Sequence, residues 1–502
     1  MKGFSLGYLN LVATTVAGIF LTRFYLGHLG QVSYGYWLVA SQLLGFAALL
    51  DLGVVSILPR EIAYITGSGS DGSTTTAREV LLRRASSLVL LQIPPVFAIL
   101  LAGWLLLPSA WLPLRWPLAI LLAGFVLSFP MRIPTAILTG LQDLSFLAWV
   151  QLVTWLLGTI LSVALVWSGW GLGALAVGYV ASQTSSALCS LIRLRLRYPL
   201  FMPRKLSWPH RDSLPYMRSA FWATVSALAT LFIFGTESLV VGALFGAATV
   251  VPYSSTGKLF AVLGNQPSLI MQAAAPGLSE ARAATDGPTR LRISVVLAQG
   301  MLSLTAAIIV VVIAVNQGFV TWWLGPSQYA GLLLTCLFGA RLFLRHWNTT
   351  LIYTLFSFGH ERLIALVALA DGALTVLAST ILAKQFGLIG VPLGSILIAL
   401  LVSLPLNLRG IHRDTGVRVG HIVYSQIWWQ GRVLVLAGAA AFGSTYLNDA
   451  RFLSVVTKGT IALLGCALVL GPLALKPPLE PYVRPRLRRL IERLRLSRIW
   501  SV

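Results

Sequence analysis

The sequence predicts an all-α integral membrane protein of about fourteen transmembrane helices, and three observations predict it. The first is composition. Of 502 residues, 57% are hydrophobic and only 10% charged, against roughly 25% charged in a soluble domain. So few charges cannot cover a water-soluble surface of this size. The second is run length: apolar stretches of about 18 residues or more recur along the whole chain. They are rich in Leu, Ala and Val and lack the alternation of a membrane β-barrel. The third is the placement of the cations.

The apolar runs place spans at 6–26, 33–56, 85–107, 117–138, 145–167, 171–191, 217–240, 249–273, 293–315, 329–356, 363–383, 387–407, 433–447 and 452–475. The first follows Met1-Lys2 and has no clear small-residue cleavage site, so it reads as a helix and not a removed signal peptide. Pro130 and Pro134 bend the fourth around Arg132. Gly169-Trp170-Gly171 is a tight turn between the fifth and sixth. No outer loop is long enough for a folded extramembrane domain. Cys189, Cys336 and Cys466 lie far apart inside apolar runs, so they read as packing residues rather than a zinc site or redox pair.

The formal charge of +22 could suggest nucleic acid. Its placement says otherwise. With the N-terminus cytoplasmic, 28 of the 37 lysines and arginines fall on the cytoplasmic side, and only Arg115, Lys384 and Arg451 fall outside. That bias is the positive-inside signal, and it predicts a multi-pass protein with both termini cytoplasmic. No nucleic-acid partner is expected.

Two halves resemble one another. Gly171-Leu172 and Gly178 recur 216 residues later as Gly387-Leu388 and Gly394, and Gly30 recurs at Gly246. Gly140-Leu141-Gln142-Asp143-Leu144 has a counterpart 219 residues on, at Gly359-His360-Glu361-Arg362-Leu363. The expected organisation is an N-lobe of six helices over 1–191 and a basic cytoplasmic linker over 192–216. A C-lobe of six helices over 217–407 follows, then a loop and two further helices over 408–475, and a basic tail over 476–502. Even-numbered copies imply a parallel pseudo-repeat. In the tail, Leu487, Leu490, Ile491 and Leu494 alternate with arginines at helical spacing, which predicts an interfacial helix on anionic lipid or a basic tail that reinforces orientation.

Chemistry for catalysis is missing. Gly257-Lys258 lacks the glycine spacing and Ser/Thr of a phosphate-binding loop, and no His-Glu-x-x-His helix is present. No enzyme, cofactor or metal is expected.

Ionisable residues at bilayer depth cost about 2.5–3.5 kcal/mol each on insertion scales, so each needs a reason. Arg341, Arg345 and Asn348 share one face of the tenth helix; they line a cavity, or Arg341 pairs with Asp371 on the eleventh. Arg23 and Arg132 reach the interface by snorkelling or contact an anion. Lys258 has the same two readings. Ser219, Ser226, Thr230 and Glu237 align on one face of the seventh helix, a wetted wall unless Glu237 is simply solvated. Asp51 and Asp371 bind a coupling proton or sodium ion, or neutralise an arginine. Five cations (Arg23, Arg132, Lys258, Arg341, Arg345) against three acids (Asp51, Glu237, Asp371) make a cationic interior suited to a phosphate or pyrophosphate group.

The opening resembles a known family. Arg23, Leu29-Gly30, Tyr34-Gly35-Tyr36-Trp37, Leu50-Asp51-Leu52-Gly53 and Arg60 are similar to the start of O-antigen and polysaccharide-repeat flippases. Trp323-Leu324-Gly325 and Tyr329 are similar too. That family lies in the multidrug/oligosaccharidyl-lipid/polysaccharide (MOP) exporter superfamily. The resemblance implies two six-helix lobes about a central cavity and alternating access. It implies an undecaprenyl-pyrophosphate-linked oligosaccharide as cargo, Arg23 as a substrate arginine, and a bacterial inner-membrane location. Membrane lipids, a polysaccharide polymerase and chain-length proteins are the partners it suggests. Fewer arginines stand around helices 1 and 2 than in the peptidoglycan-precursor flippases, which argues against lipid II. Two other readings stay open: a cation-coupled small-molecule exporter of the same superfamily, and a membrane polysaccharide polymerase or ligase.

Overall fold

The computed structural model describes residues 2–67, 72–202, 214–272, 287–415, 419–446 and 452–474, with positions 274, 480 and 484. The tail expected to form an interfacial helix over 486–495 lies outside them, as do residues 203–213 of the linker expected over 192–216. The described residues are helical, with no strand among them. The chain divides by its contacts into two units, Met1–Val251 and Pro252–Val502.

The first unit opens with α1 (Lys2–Ala47), a single run broken at Gly30 into two limbs. A short 3-10 turn ends at Asp51, and Leu52 and Gly53 turn the chain with positive φ. α2 (Val54–Gly67) follows, then α3 (Gly72–Leu105), which carries Pro94 and Pro95. α4 (Arg115–Ser128) and α5 (Arg132–Gly140) are one rod interrupted at 129–131, where the prolines were expected to bend it. α6 (Leu144–Trp167) and α7 (Leu172–Arg197) form a hairpin. α8 (Leu214–Phe234) and α9 (Glu237–Phe245) are again a broken rod. Its core joins α2, α3 and α5 through Leu58, Ile62, Leu82, Val89, Ile137 and Leu138, all nearly or fully buried.

The division by contacts at 251/252 leaves α8 within the first unit. Ala220 belongs to the same buried cluster as α2 and α3. The Tyr216 hydroxyl donates to the Val54 carbonyl oxygen at 2.6 Å. A Cβ on Gly53 would stand 2.2 Å from the Ala220 oxygen, so only glycine fits that turn.

α10 (Ala247–Leu263) runs across the boundary. The second unit continues with α11 (Gly287–Leu324), α12 (Leu332–Phe358) and α13 (Glu361–Phe386). α14 (Gly390–Ile398) passes through a π-helical turn at Ala399–Ser403 into α15 (Leu404–Thr415). α16 (Val419–Tyr446) and α17 (Phe452–Ala474) complete it. α16 and α17 bury Val433, Cys466 and Leu470 against Ala306 and Val310 of α11.

Nine described stretches are long and apolar enough to cross a membrane. Two of them, Val12–Asp51 and Arg362–Asp414, contain two rods each. Adding α10, α12 and the shorter apolar stretch Gly431–Thr445 of α16 accounts for the expected fourteen. α10 and α12 are missing from that set because α10 is only 17 residues long and α12 carries Arg341, Arg345 and Asn348.

The repeat is present in backbone conformation. Gly30 has φ 79°, ψ 164°, and Gly246 has φ 85°, ψ 163°. Gly171 has φ 58°, ψ −136°, and Gly387 has φ 66°, ψ −147°. The α6–α7 and α13–α14 pairs share a close approach. A Cβ on Gly178 would lie 2.5 Å from the Gly158 oxygen, and one on Gly394 would lie 2.3 Å from the Ser379 nitrogen. One equivalence shifts. The left-handed residue matching Gly359 is Gln142, with φ 57°, and not Gly140. The offset at that turn is therefore 217, close to the 216 of the other pairs.

Candidate functional site

In the first unit the polar centre is Asp51. It sits where α1 gives way to the turn, almost fully buried. Its Oδ1 accepts the Gly53 N–H at 2.9 Å, and Arg132 Nη2 stands 3.1 Å from Oδ2. Arg132 Nη1 also donates to the Ala48 carbonyl oxygen at 3.3 Å, and Gln92 Nε2 donates to the Asp51 carbonyl oxygen at 3.1 Å. Arg132 is the first residue of α5, so the break before it directs the guanidinium at the end of α1. Together these contacts tie α1, α3 and α5.

In the second unit the centre is Arg345 with Asp371. Arg345 Nη1 donates to Asp371 Oδ2 at 2.5 Å, with both side chains almost wholly buried. Arg345 Nη2 donates to Thr375 Oγ1 at 3.1 Å and to Ser395 Oγ at 2.8 Å. Thr375 Oγ1 donates to Asp371 Oδ1 at 3.0 Å, and Ser403 donates to Oδ2. The π-helical turn ends at Ser403 and so delivers its hydroxyl to the carboxylate. A buried pair keeps its charge only when its remaining donors and acceptors are satisfied, and here four helical segments do so. The ion pair to Asp371 is thus made by Arg345, not by Arg341 one turn earlier. Arg341 is half-buried, and Asn348 accepts from Asn407 Nδ2 at 2.8 Å.

Arg23, on the first limb of α1, is exposed and makes no ion pair among the described residues. Its neighbours Tyr25 and Thr22 are held by Ser162 at 2.5 Å and Tyr34 at 3.3 Å, which fixes the helix face it leaves from. Lys258, half-buried on α10, likewise has no carboxylate partner among the described residues.

Ser226 and Thr230 are exposed on α8, with Thr230 Oγ1 donating to the Ser226 carbonyl oxygen at 3.0 Å. The expected alignment with Glu237 does not survive. α8 ends at Phe234, and Glu237 starts α9, where a carboxylate favours the positive helix end. A continuous 100° count through the break at 235–236 is therefore invalid. The side chain of Ser219 lies outside the described residues.

Sequence reasoning followed charges and missed two neutral hubs. His346 Nδ1 meets Thr305 Oγ1 at 2.7 Å, both buried. Asn316 Nδ2 donates to the Thr256 carbonyl oxygen at 2.9 Å and to Thr335 Oγ1 at 3.0 Å, linking α10, α11 and α12. The available signal was an isolated Asn or His inside a long apolar run.

These features are those of a multi-pass membrane protein. The chain superposes on the lipid II flippase MurJ in its inward closed conformation with a TM-score of 0.63 at 11% identity, covering 93% of this chain and 99% of that one. An inward-facing multidrug resistance MATE family transporter of the MOP superfamily gives 0.60 at 15% identity, covering 83% and 98%. Its outward-facing counterpart gives 0.54 at 16% identity, covering 83% and 96%. No curated protein matches the sequence. The chain therefore has the fold of the MOP exporters, and residues 86–331 match the family described as polysaccharide biosynthesis protein.

Proposed function

We propose that this protein flips an undecaprenyl-pyrophosphate-linked oligosaccharide across the bacterial cytoplasmic membrane by alternating access, with both termini cytoplasmic. The observation that carries the reading is which charges are paired. Asp51 and Asp371 each neutralise an arginine, while Arg23 and Lys258 pair with no described carboxylate. A cationic surplus at membrane depth attracts an anionic head group. Taken unit by unit, Arg23 in the first and Lys258 and Arg341 in the second are proposed to contact the pyrophosphate; Ser226 and Thr230 of α8 are proposed to face water, and Glu237 of α9 is proposed separately as a coupling residue. The polysaccharide-family match over 86–331 supports a saccharide cargo, and the 28-to-3 cation bias supports the orientation. Coupling to a proton or sodium gradient belongs to the same reading.

Export of organic cations fits less well, because that cargo needs a carboxylate at liberty, and the two most buried acids among the described residues, Asp51 and Asp371, are already neutralised.

The test is complementation of a flippase-null strain. Arg341→Ala should insert normally and export no repeat unit, and Arg341→Lys should be impaired because a point charge replaces a bidentate fork. Full surface polymer with Arg341→Ala would remove that residue from the site.

A further inference from the structure

An apolar groove runs along the first unit between α3 and α4, with a cation at one end. Its walls are Phe97, Leu101 and Trp104 of α3 and Ala119, Ala123 and Val126 of α4, around a cavity of about 240 Å³. Just before the groove, Pro94 and Pro95 stand side by side inside α3, where they supply no N–H donors. Ala119 and Ala123, one turn apart, keep the facing wall low. Phe97 and Leu101 remain 53% and 40% exposed, so protein does not close the groove over.

At the end of the groove Trp104 Nε1 donates to the Arg115 carbonyl oxygen at 2.8 Å. The Arg115 guanidinium stands 4.6 Å from the centroid of the same ring. Arg115 is exposed and pairs with no described carboxylate. The cation is therefore anchored at the groove mouth with its N–H donors available.

We infer that this groove holds one acyl chain of an anionic phospholipid whose phosphate rests on Arg115. From Trp104 to Phe97 the wall is seven residues, about 10 Å of helix, which lies within one leaflet of a ~30 Å hydrocarbon core. The cavity is below the roughly 300 Å³ of small-ligand pockets, so it takes a chain and nothing bulkier. Tryptophan belongs at interface depth, and a cation there selects an anionic head group.

The test uses full-length protein in nanodiscs with phosphatidylglycerol or phosphatidylcholine carrying a diazirine on one acyl chain, followed by mass-spectrometric mapping of crosslinks. Phosphatidylglycerol should label peptides containing Phe97–Leu101 and Ala119–Val126 about fivefold more than phosphatidylcholine, the discrimination that one interfacial cation supplies. Arg115→Gln should make the two lipids equal, and Ala119→Leu with Ala123→Leu should remove the label. Arg115 is exposed, so its variant remains informative even if the leucine pair disturbs folding. Equal labelling by both lipids in the unsubstituted protein would overturn the inference. So would undiminished labelling in a folded leucine variant, or displacement of phosphatidylglycerol from these peptides by a polyprenyl phosphate.

Discussion

Asp143 and His360 hold the same place in the two copies and carry opposite character. Asp143 precedes α6 with φ −77°, ψ 47°, and His360 precedes α13 with φ −91°, ψ 46°, 217 residues later. Arg193 of α7 donates through Nε to the Asp143 carboxylate at 2.9 Å, while His360 Nε2 meets the Asp414 carboxylate of α15 at 2.5 Å. Each copy ties the same turn to its last helix, with acid and base exchanged. Asp143→Ala should lower stability by about 1 kcal/mol, as for a partly exposed pair. Arg193 keeps its packing 4.7 Å over Phe146, which limits the loss. Thermal unfolding in detergent measures it.

The Arg345–Asp371 pair gives a sharper expectation. Arg345→Ala strands a carboxylate in the interior of the second unit and should cost about 3–5 kcal/mol, read as lost yield or a lowered unfolding temperature. Replacing both partners, Arg345→Met with Asp371→Leu, removes the charge and its counter-charge together. That double variant should recover most of the stability and should still transport if the pair is scaffolding. A double variant as unstable as Arg345→Ala alone would show that the Thr375, Ser395 and Ser403 hydroxyls need the charges they surround.

Gly30 and Gly246 adopt a φ/ψ combination that is essentially reserved for glycine. Gly30→Ala and Gly246→Ala should each destabilise by about 1–3 kcal/mol. Gly18→Ala provides the contrast: it lies in the helical part of α1 with nothing within 4 Å of an added Cβ, and should stabilise by roughly 0.5–1 kcal/mol. Equal effects at all three positions would mean that the breaks carry no special backbone requirement.

How far the sequence reached depended on the kind of interaction. The helical fold was readable because lipid demands long apolar runs, and those runs dominate the text. The repeat was readable at Gly30/Gly246 and Gly171/Gly387, where positive φ forces one residue type. It was misaligned at Gly140, because Gln142 holds a left-handed conformation without being glycine. The helix breaks at 129–131 and 235–236 differ in the same way. Pro130 and Pro134 announce the first, whereas the second leaves little mark beyond Gly235 and so misled the alignment of Glu237 with Thr230. Ion pairs were only half legible. Asp371 was an evident partner for an arginine of α12, but the choice of Arg345 over Arg341 depends on helix rotation and on hydroxyls from α14 and the π-helical turn, which a one-dimensional pattern does not register.

The most direct measurement is flipping of a fluorescent undecaprenyl-pyrophosphate oligosaccharide in proteoliposomes. The unsubstituted protein should flip it. Arg23→Gln and Lys258→Gln should each slow flipping about 10–100-fold, the loss of one charge-assisted contact, without lowering thermal stability. Wild-type rates in both variants, or a protein that moves cationic dyes and leaves the lipid-linked sugar in place, would contradict the account.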